Sequence, residues 1–150
     1  MTIQEIKKKL QSYKKSVLLY QPATVQDLQE VQKEMNFVMS DKLKEFYTSF
    51  DGGLMFDKGL CMYSIGLHGN DHTLHEINSS NRPALLSIPG FLKIIGILEN
   101  GDVICCDASG SDLITQWDKN SHSSYCCWAD INEFLEEKIK EYDDEHYNEK

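Results

Sequence analysis

Four sets of side chains in this chain have types and spacings that invite a chemical reading. His72 and His75 stand at the i and i+3 spacing of one helical face, with His68 just before them. Only Asp71 and Glu76 lie nearby as further ligands, in a polar, loop-like stretch, so no metal site is expected. Cys105-Cys106 and Cys126-Cys127 are adjacent pairs in apolar runs. Neighbours in a strand point to opposite faces, so neither pair can chelate one ion as a C-x2-C turn does. A thiol nucleophile needs exposed, electropositive surroundings, whereas hydrophobic runs among acids should raise the thiol pKa. Asp107 and Asp112 can face one another across a turn as a general acid and base would. The chain holds 24 acidic residues in 150, however, so carboxylate pairs of this kind arise by chance. Asp51-Gly52-Gly53 and Gly66-Leu67-His68-Gly69 lack the lysine and the glycine spacing of a phosphate loop. The residues therefore indicate no catalytic group, no metal and no cofactor.

Charge is the stronger signal. Against 15 lysines and arginines the acids leave a net charge of −9, which disfavours direct nucleic-acid binding because phosphate contacts need lysine and arginine. Residues 1–20 hold five lysines and one glutamate, while residues 130–150 hold nine acids and three lysines. No basic residue falls between Lys93 and Lys119, yet Glu99, Asp102, Asp107, Asp112 and Asp118 do. We assign the C-terminal acids to solubility. The central block points to a cationic partner and fast, salt-sensitive association. Glu99, Asp102, Asp112 and Asp118 are the candidate contacts, expected at exposed strand ends and turns. Trp117 suits the core. Trp128, near Tyr125, suits the core and an exposed anchor equally.

The elements that must carry these groups follow from periodicity. Ile3, Ile6, Leu10, Tyr13 and Val17 form a helical stripe. Thr24 with Asp27 resembles a capping box opening a second helix, with Val25, Leu28, Val31 and Met35 inward. Ser40 caps a third helix whose Leu43, Phe46, Tyr47 and Phe50 share one face before Asp51-Gly52-Gly53 turns the chain. The period then changes to that of strands at 60–65, 91–98, 103–107, 113–117 and 125–128, with a short helix at 74–78. Asn100-Gly101 is the pair that two-residue hairpin turns favour. Asp130 and Glu133 open a last helix with Ile131, Phe134, Leu135, Ile139 and Tyr142 on its buried face, and from Asp143 onward the tail should fray. This order predicts one α+β domain over 1–150, with a mostly antiparallel sheet meander flanked by N-terminal helices and a C-terminal helix, the helices on one side. Its core should include Leu43, Phe46, Phe91, Ile95, Ile104, Ile114 and Phe134. Five cysteines without framework spacing, no apolar leader in residues 1–7 and no apolar run near the ~20 residues of a membrane span lead to the expectation of a cytosolic protein with no membrane segment.

The wording of several segments is similar to that of the SUKH superfamily, the group named after the yeast cell-wall synthesis regulators. Leu43-Lys44-Glu45-Phe46-Tyr47 running into Asp51-Gly52-Gly53 resembles its helix and "Asn-Gly-Gly" turn, with Asp51 in place of the usual Asn. Phe91–Gly96, the polar hairpin at Glu99–Ile104, Thr115-Gln116-Trp117-Asp118 and Ala129–Leu135 resemble its later segments in order, with Ile131 replacing a Phe. The match covers about residues 24–140. The resemblance implies a non-catalytic immunity protein that binds and neutralises a cognate bacterial polymorphic toxin domain, many of which are nucleases with basic clefts. The alternative it implies is a regulatory or scaffold role like that of the fungal members in glucan synthesis. No residue pattern supports a third reading, a small hydrolase.

Overall fold

A computed structural model describes residues 1–68 and 72–146, so Gly69, Asp71 and the end of the acidic tail lie outside the described residues. The backbone of the fold is a seven-stranded antiparallel meander in which every strand pairs with its sequence neighbours. Its strands are β1 (Leu18–Leu19), β2 (Gly53–Met55), β3 (Leu60–Met62), β4 (Leu92–Leu98), β5 (Val103–Asp107), β6 (Ile114–Asp118) and β7 (Ser123–Trp128). The helices are α1 (Ile3–Gln11), α2 (Val25–Glu34), α3 (Asp41–Ser49), α4 (Leu74–Ser79), α5 (Arg82–Leu85) and α6 (Ile131–Glu145). The chain is thus α+β, as its periodicity predicts.

Local chemistry places the helix starts. Thr2 with Glu5, Thr24 with Asp27 and Thr73 with Glu76 form reciprocal capping boxes, and the side chains of Ser40 and Asp130 each accept an amide of the first turn. One apolar core joins Ile6, Leu10, Leu28, Leu43, Phe46, Phe50, Phe134 and Leu135 to Met62, Ile95, Ile104 and Ile114 of the sheet.

The other face of the sheet is not open, contrary to the one-sided cover expected. Ile77 of α4 and Leu86 beyond α5 close over Tyr63, Ile94, Val103, Cys105 and Trp117, and the Trp117 indole donates to the Leu86 carbonyl at 2.8 Å. The cause is visible in the strands: β5 is buried at both Ile104 and Val103, at both Cys106 and Cys105, so each face needs a cover. Cys106 belongs to the first core and Cys105 to the second, as the strand period requires. Burial drives the Cys105 thiol up to about 12 and raises that of Cys106 as well. Cys127, by contrast, is exposed and Cys126 half-buried, because β7 is an edge strand.

Other expectations also need correction. Phe91 is 62% exposed, since β4 begins only at Leu92, and Val25 is 64% exposed at the start of α2. α1 ends at Gln11, so Tyr13 and Val17 pack against the core from beyond the helix, around a short 3-10 turn at Lys14–Ser16 that leads into β1. The expected frayed tail begins later than Asp143 within the described residues: α6 continues to Glu145, the Asp143 carboxylate accepts from the Tyr13 hydroxyl at 2.6 Å, and Lys9 lies 3.4 Å from it, while residues 147–150 of that tail lie outside the described residues. Burial first, then this carboxylate, raises the Tyr13 pKa.

Candidate functional site

A meander sorts its turns alternately to two ends of the sheet, and this decides which acids meet. The β2–β3, β4–β5 and β6–β7 turns share one end, which therefore holds Asp57, Glu99, Asp102 and Asp118. The β5–β6 loop lies at the other end, so Asp112, though exposed, stands apart from the other three candidates. Beside Asp112 at that end are Asp107, Val38 and Phe91, with Ala108 bonded to both of the last two through its backbone.

The β4–β5 connection is a three-residue loop rather than the two-residue turn expected. Leu98 and Asp102 close it through their backbones, the Gly101 amide donates to the Leu98 carbonyl, and Gly101 has φ +95°. This is the turn followed by a left-handed residue that three-residue hairpins use. Glu99 is thereby left exposed. Asp102 is turned inward and is only 4% exposed, which corrects the expectation that all four acids project into solvent. Its carboxylate accepts from the Tyr125 hydroxyl at 2.7 Å, the Lys119 amide at 3.1 Å, Gln116 Nε2 at 3.2 Å and Asn100 Nδ2 at 3.3 Å. Burial alone would raise its pKa, but the bonds from Tyr125, Lys119, Gln116 and Asn100 outweigh it and hold the carboxyl below its ordinary value. Tyr125 keeps its ring more than half exposed while its hydroxyl end is drawn against Asp102. Desolvation of that end, then the carboxylate, push the phenol up to about 12. Asp118 is half-buried and accepts the Asn120 and Ser121 amides that open the β6–β7 turn.

Trp128 belongs to the core. It is 4% exposed, meets Phe134 edge-to-face at 4.8 Å and donates from its indole to Glu137 at 3.0 Å. Tyr125 is the member of that aromatic group that remains at the surface.

The structure adds Phe56, Asp57, Glu141 and Glu145 to the residues that the sequence singled out. The C-terminal half of α6 lies against the β2–β3 turn and the end of β4, forming a cleft of about 360 Å³. Asp57, Glu99, Glu141 and Glu145 line it with Phe56, Tyr142 and Lys138. Lys138 is committed locally, 3.2 Å from Glu141 and over the Trp128 and Phe134 rings. Lys119 folds back onto the Asn100 carbonyl. Phe56, Tyr142 and Tyr13 pack as an aromatic cluster with centroids 4.9–6.1 Å apart. The cleft became legible only once the fold brought α6 beside Glu99; the signal available earlier was the run of acids at the end of that helix.

The family model for the SMI1 / KNR4 family (SUKH-1) matches residues 22–137. The chain belongs to this family. Its members include immunity proteins and yeast glucan synthesis regulators, and they are generally non-catalytic. No curated protein matches the chain.

In this SUKH-1 chain the Asp51-Gly52-Gly53 turn has a backbone reason for each residue. A Cβ on Gly52 (φ +73°) would lie 2.3 Å from the Met62 carbonyl oxygen, and one on Gly53 (φ +152°) 2.2 Å from that of Leu18. Asp51 is 2% exposed, and both its oxygens accept backbone amides, from Ile65 at 2.7 Å and Gly66 at 2.9 Å. His68 adds a third contact at 3.0 Å and stacks on Tyr20 with centroids 4.4 Å apart. Two facing N–H donors suit a carboxylate, because the NH2 of an Asn would oppose one of them. His75 pairs with Glu34 at 3.3 Å, whereas His68 pairs with Asp51. Among the described residues no group of three or more His, Cys, Asp or Glu is placed to hold a metal, and no helix is long and apolar enough to cross a membrane.

Proposed function

We propose that this chain is a non-catalytic immunity protein that binds the domain of a polymorphic bacterial toxin and neutralises it with the acidic end of its sheet. A basic substrate cleft, such as that of a nuclease, is the surface this end would fill, with carboxylates in place of phosphates. The observation that carries the reading is the composition of the last turns of α6. α1 ends with Lys8 and Lys9, α2 with Lys33 and Glu34, and α3 has no basic residue in its last turn, but α6 alone among these ends in a run of acids, Glu141, Asp143, Asp144 and Glu145, with no basic residue in its last turn. Acids at a helix C-terminus oppose the macrodipole by about 0.3–1 kcal/mol each. A run of acids set against that preference, beside Glu99 and Asp57, supports a use for the negative potential in recognition.

The experiment is co-expression with the toxin domain encoded beside this chain, scoring rescue of growth, followed by association kinetics of the pair. Glu99→Gln, Glu141→Gln and Glu145→Gln are combined, since none of the three caps a turn or a helix start. Steering by exposed charge accelerates encounter and fades as salt shortens screening to about 8 Å. The triple variant should associate about tenfold or more slowly at low salt, with a flatter salt dependence and unchanged folding. Association at the wild-type rate in low salt would exclude the acidic end as the binding surface, and failure of rescue by the wild-type chain would exclude the immunity role.

A further inference from the structure

The two edges of the sheet are built differently. β1 offers only Leu18 and Leu19. β7 runs for six residues, Ser123-Ser124-Tyr125-Cys126-Cys127-Trp128, with no charge and no proline, and all of them but Cys126 and Trp128 are exposed. Among the described residues it pairs with β6 alone. Edge strands expose a row of unpaired amides and carbonyls, and proteins blunt them with charges, proline, bulges or brevity. β7 has one such device, the register shift opposite Gln116 and Trp117. Past that point Cys126, Cys127 and Trp128 face Gln116, Thr115 and Ile114 in unbroken register. Tyr125, the residue at that register shift, donates its hydroxyl to Asp102, which ties the strand to the end of the sheet that holds the acids.

We propose that β7 is a docking edge, to which an extended, lysine- or arginine-bearing segment of the partner protein adds as an eighth strand. The inference rests on the cationic-partner reading above for the sign of the charge. Backbone hydrogen bonds supply the affinity in such strand addition, and the flanking side chains supply the choice of partner. Charge selects the occupant. The neutral strand is flanked at one end by Asp118 and Lys119, the lysine folded onto the Asn100 carbonyl, and at the other by Asp130, Glu133 and Glu137, with Lys138 over the Trp128 ring. Pairing of β7 with β7 of a second copy would set these acids against their own kind in two chains of net charge −9. A basic strand meets an excess of acids at the Trp128 end.

The test uses the full chain and a synthetic probe, an extended peptide of alternating lysine and valine, with two controls. One control replaces every lysine by glutamate; the other carries N-methyl groups on alternate backbone nitrogens. Amide hydrogen exchange is followed by NMR. With nine-tenths of the chain bound, exchange of the outward amides of residues 123–128 should slow about tenfold, and neither control should reproduce this. Slowing by the N-methyl peptide as well would show that side chains alone drive binding and would overturn strand addition. Spectral changes confined to Glu99, Glu141 and Glu145 would overturn the docking edge while leaving the acidic-end reading intact. A dimer in sedimentation whose β7 amides are already protected would overturn the choice of occupant, and no slowing at any peptide concentration would overturn the proposal.

Discussion

Replacing Asp102 by Asn separates an acid that holds the structure from one that meets a partner. The carboxylate takes the Lys119 amide on Oδ1 and the Tyr125, Gln116 and Asn100 donors on Oδ2. An amide offers one oxygen. Placed toward Oδ2, it strands the Lys119 N–H; placed toward Oδ1, its NH2 confronts the Gln116 amide. Hydrogen bonds to charged groups contribute about 1.5–3 kcal/mol each, and a buried donor left unpaired costs about 1–3 kcal/mol. Tyr125 can turn its hydroxyl to water, which offsets part of the loss. The net destabilisation expected at neutral pH is about 2–4 kcal/mol, or roughly 5–15 °C in Tm for a chain of this length.

Urea unfolding followed by tryptophan fluorescence measures it, with an unchanged m-value required for the comparison to hold. The pH dependence gives an independent check. The folded pKa of Asp102 lies below the ordinary carboxylate value, so its stabilisation is complete above about pH 3.9 and is lost as pH falls through the folded pKa. The variant has no such group. The stability gap between the two proteins should therefore close in acid. A loss below about 0.5 kcal/mol at neutral pH, the range of an ordinary surface change, or a gap that widens in acid, would refute the buried network.

Two further outcomes follow from packing and backbone. Phe46 and Phe134 are fully buried, so truncating either to Ala should cost about 3–5 kcal/mol in chemical denaturation, while Phe91→Ala should stay within about 0.5 kcal/mol. Gly52→Ala must move the Met62 carbonyl or the turn itself and should cost more than about 3 kcal/mol or prevent folding, whereas Gly90→Ala, with nothing within 4 Å of its new Cβ, should be near neutral by thermal melting.

The elements that sequence periodicity placed well are those whose own residues determine them. α3 runs from its Ser40 cap through Leu43, Phe46 and Tyr47, and β5 is a short apolar run after a glycine turn. β1 and β2 escaped notice because they are two and three residues long and exist only through pairing with each other and with β3. The same is true of the second core. Nothing local to Ile77 or Leu86 says that they cover Trp117; that follows from the alternate residues of β5 being buried on both sides. Burial of Asp102 was illegible for a related reason. Polar residues in a hairpin default to solvent, and the four donors that turn this one inward come from the β4–β5 loop, β6, the β6–β7 turn and β7.

That contrast bears on how the acids divide. Asp102 and Asp51 are consumed by the fold, each accepting backbone amides and side-chain donors at nearly every available position. Asp118 is partly consumed, since it opens a turn. Asp143 is matched by Tyr13 and Lys9, which is where the excess lysine of the first twenty residues meets the excess acid of the last helix. Among the acids that stay exposed, Glu99, Asp57, Glu141 and Glu145 come from three elements distant in sequence and gather on one cleft, where Lys138 pairs with Glu141 and the Tyr142 hydroxyl donates to Asp57. An even coating of charge for solubility would scatter such residues, and good helix design would remove them from the end of α6. They gather at the end of the sheet where the uncharged, exposed edge strand β7 begins, two strands beyond β4, an arrangement that suits a partner reading both charge and backbone.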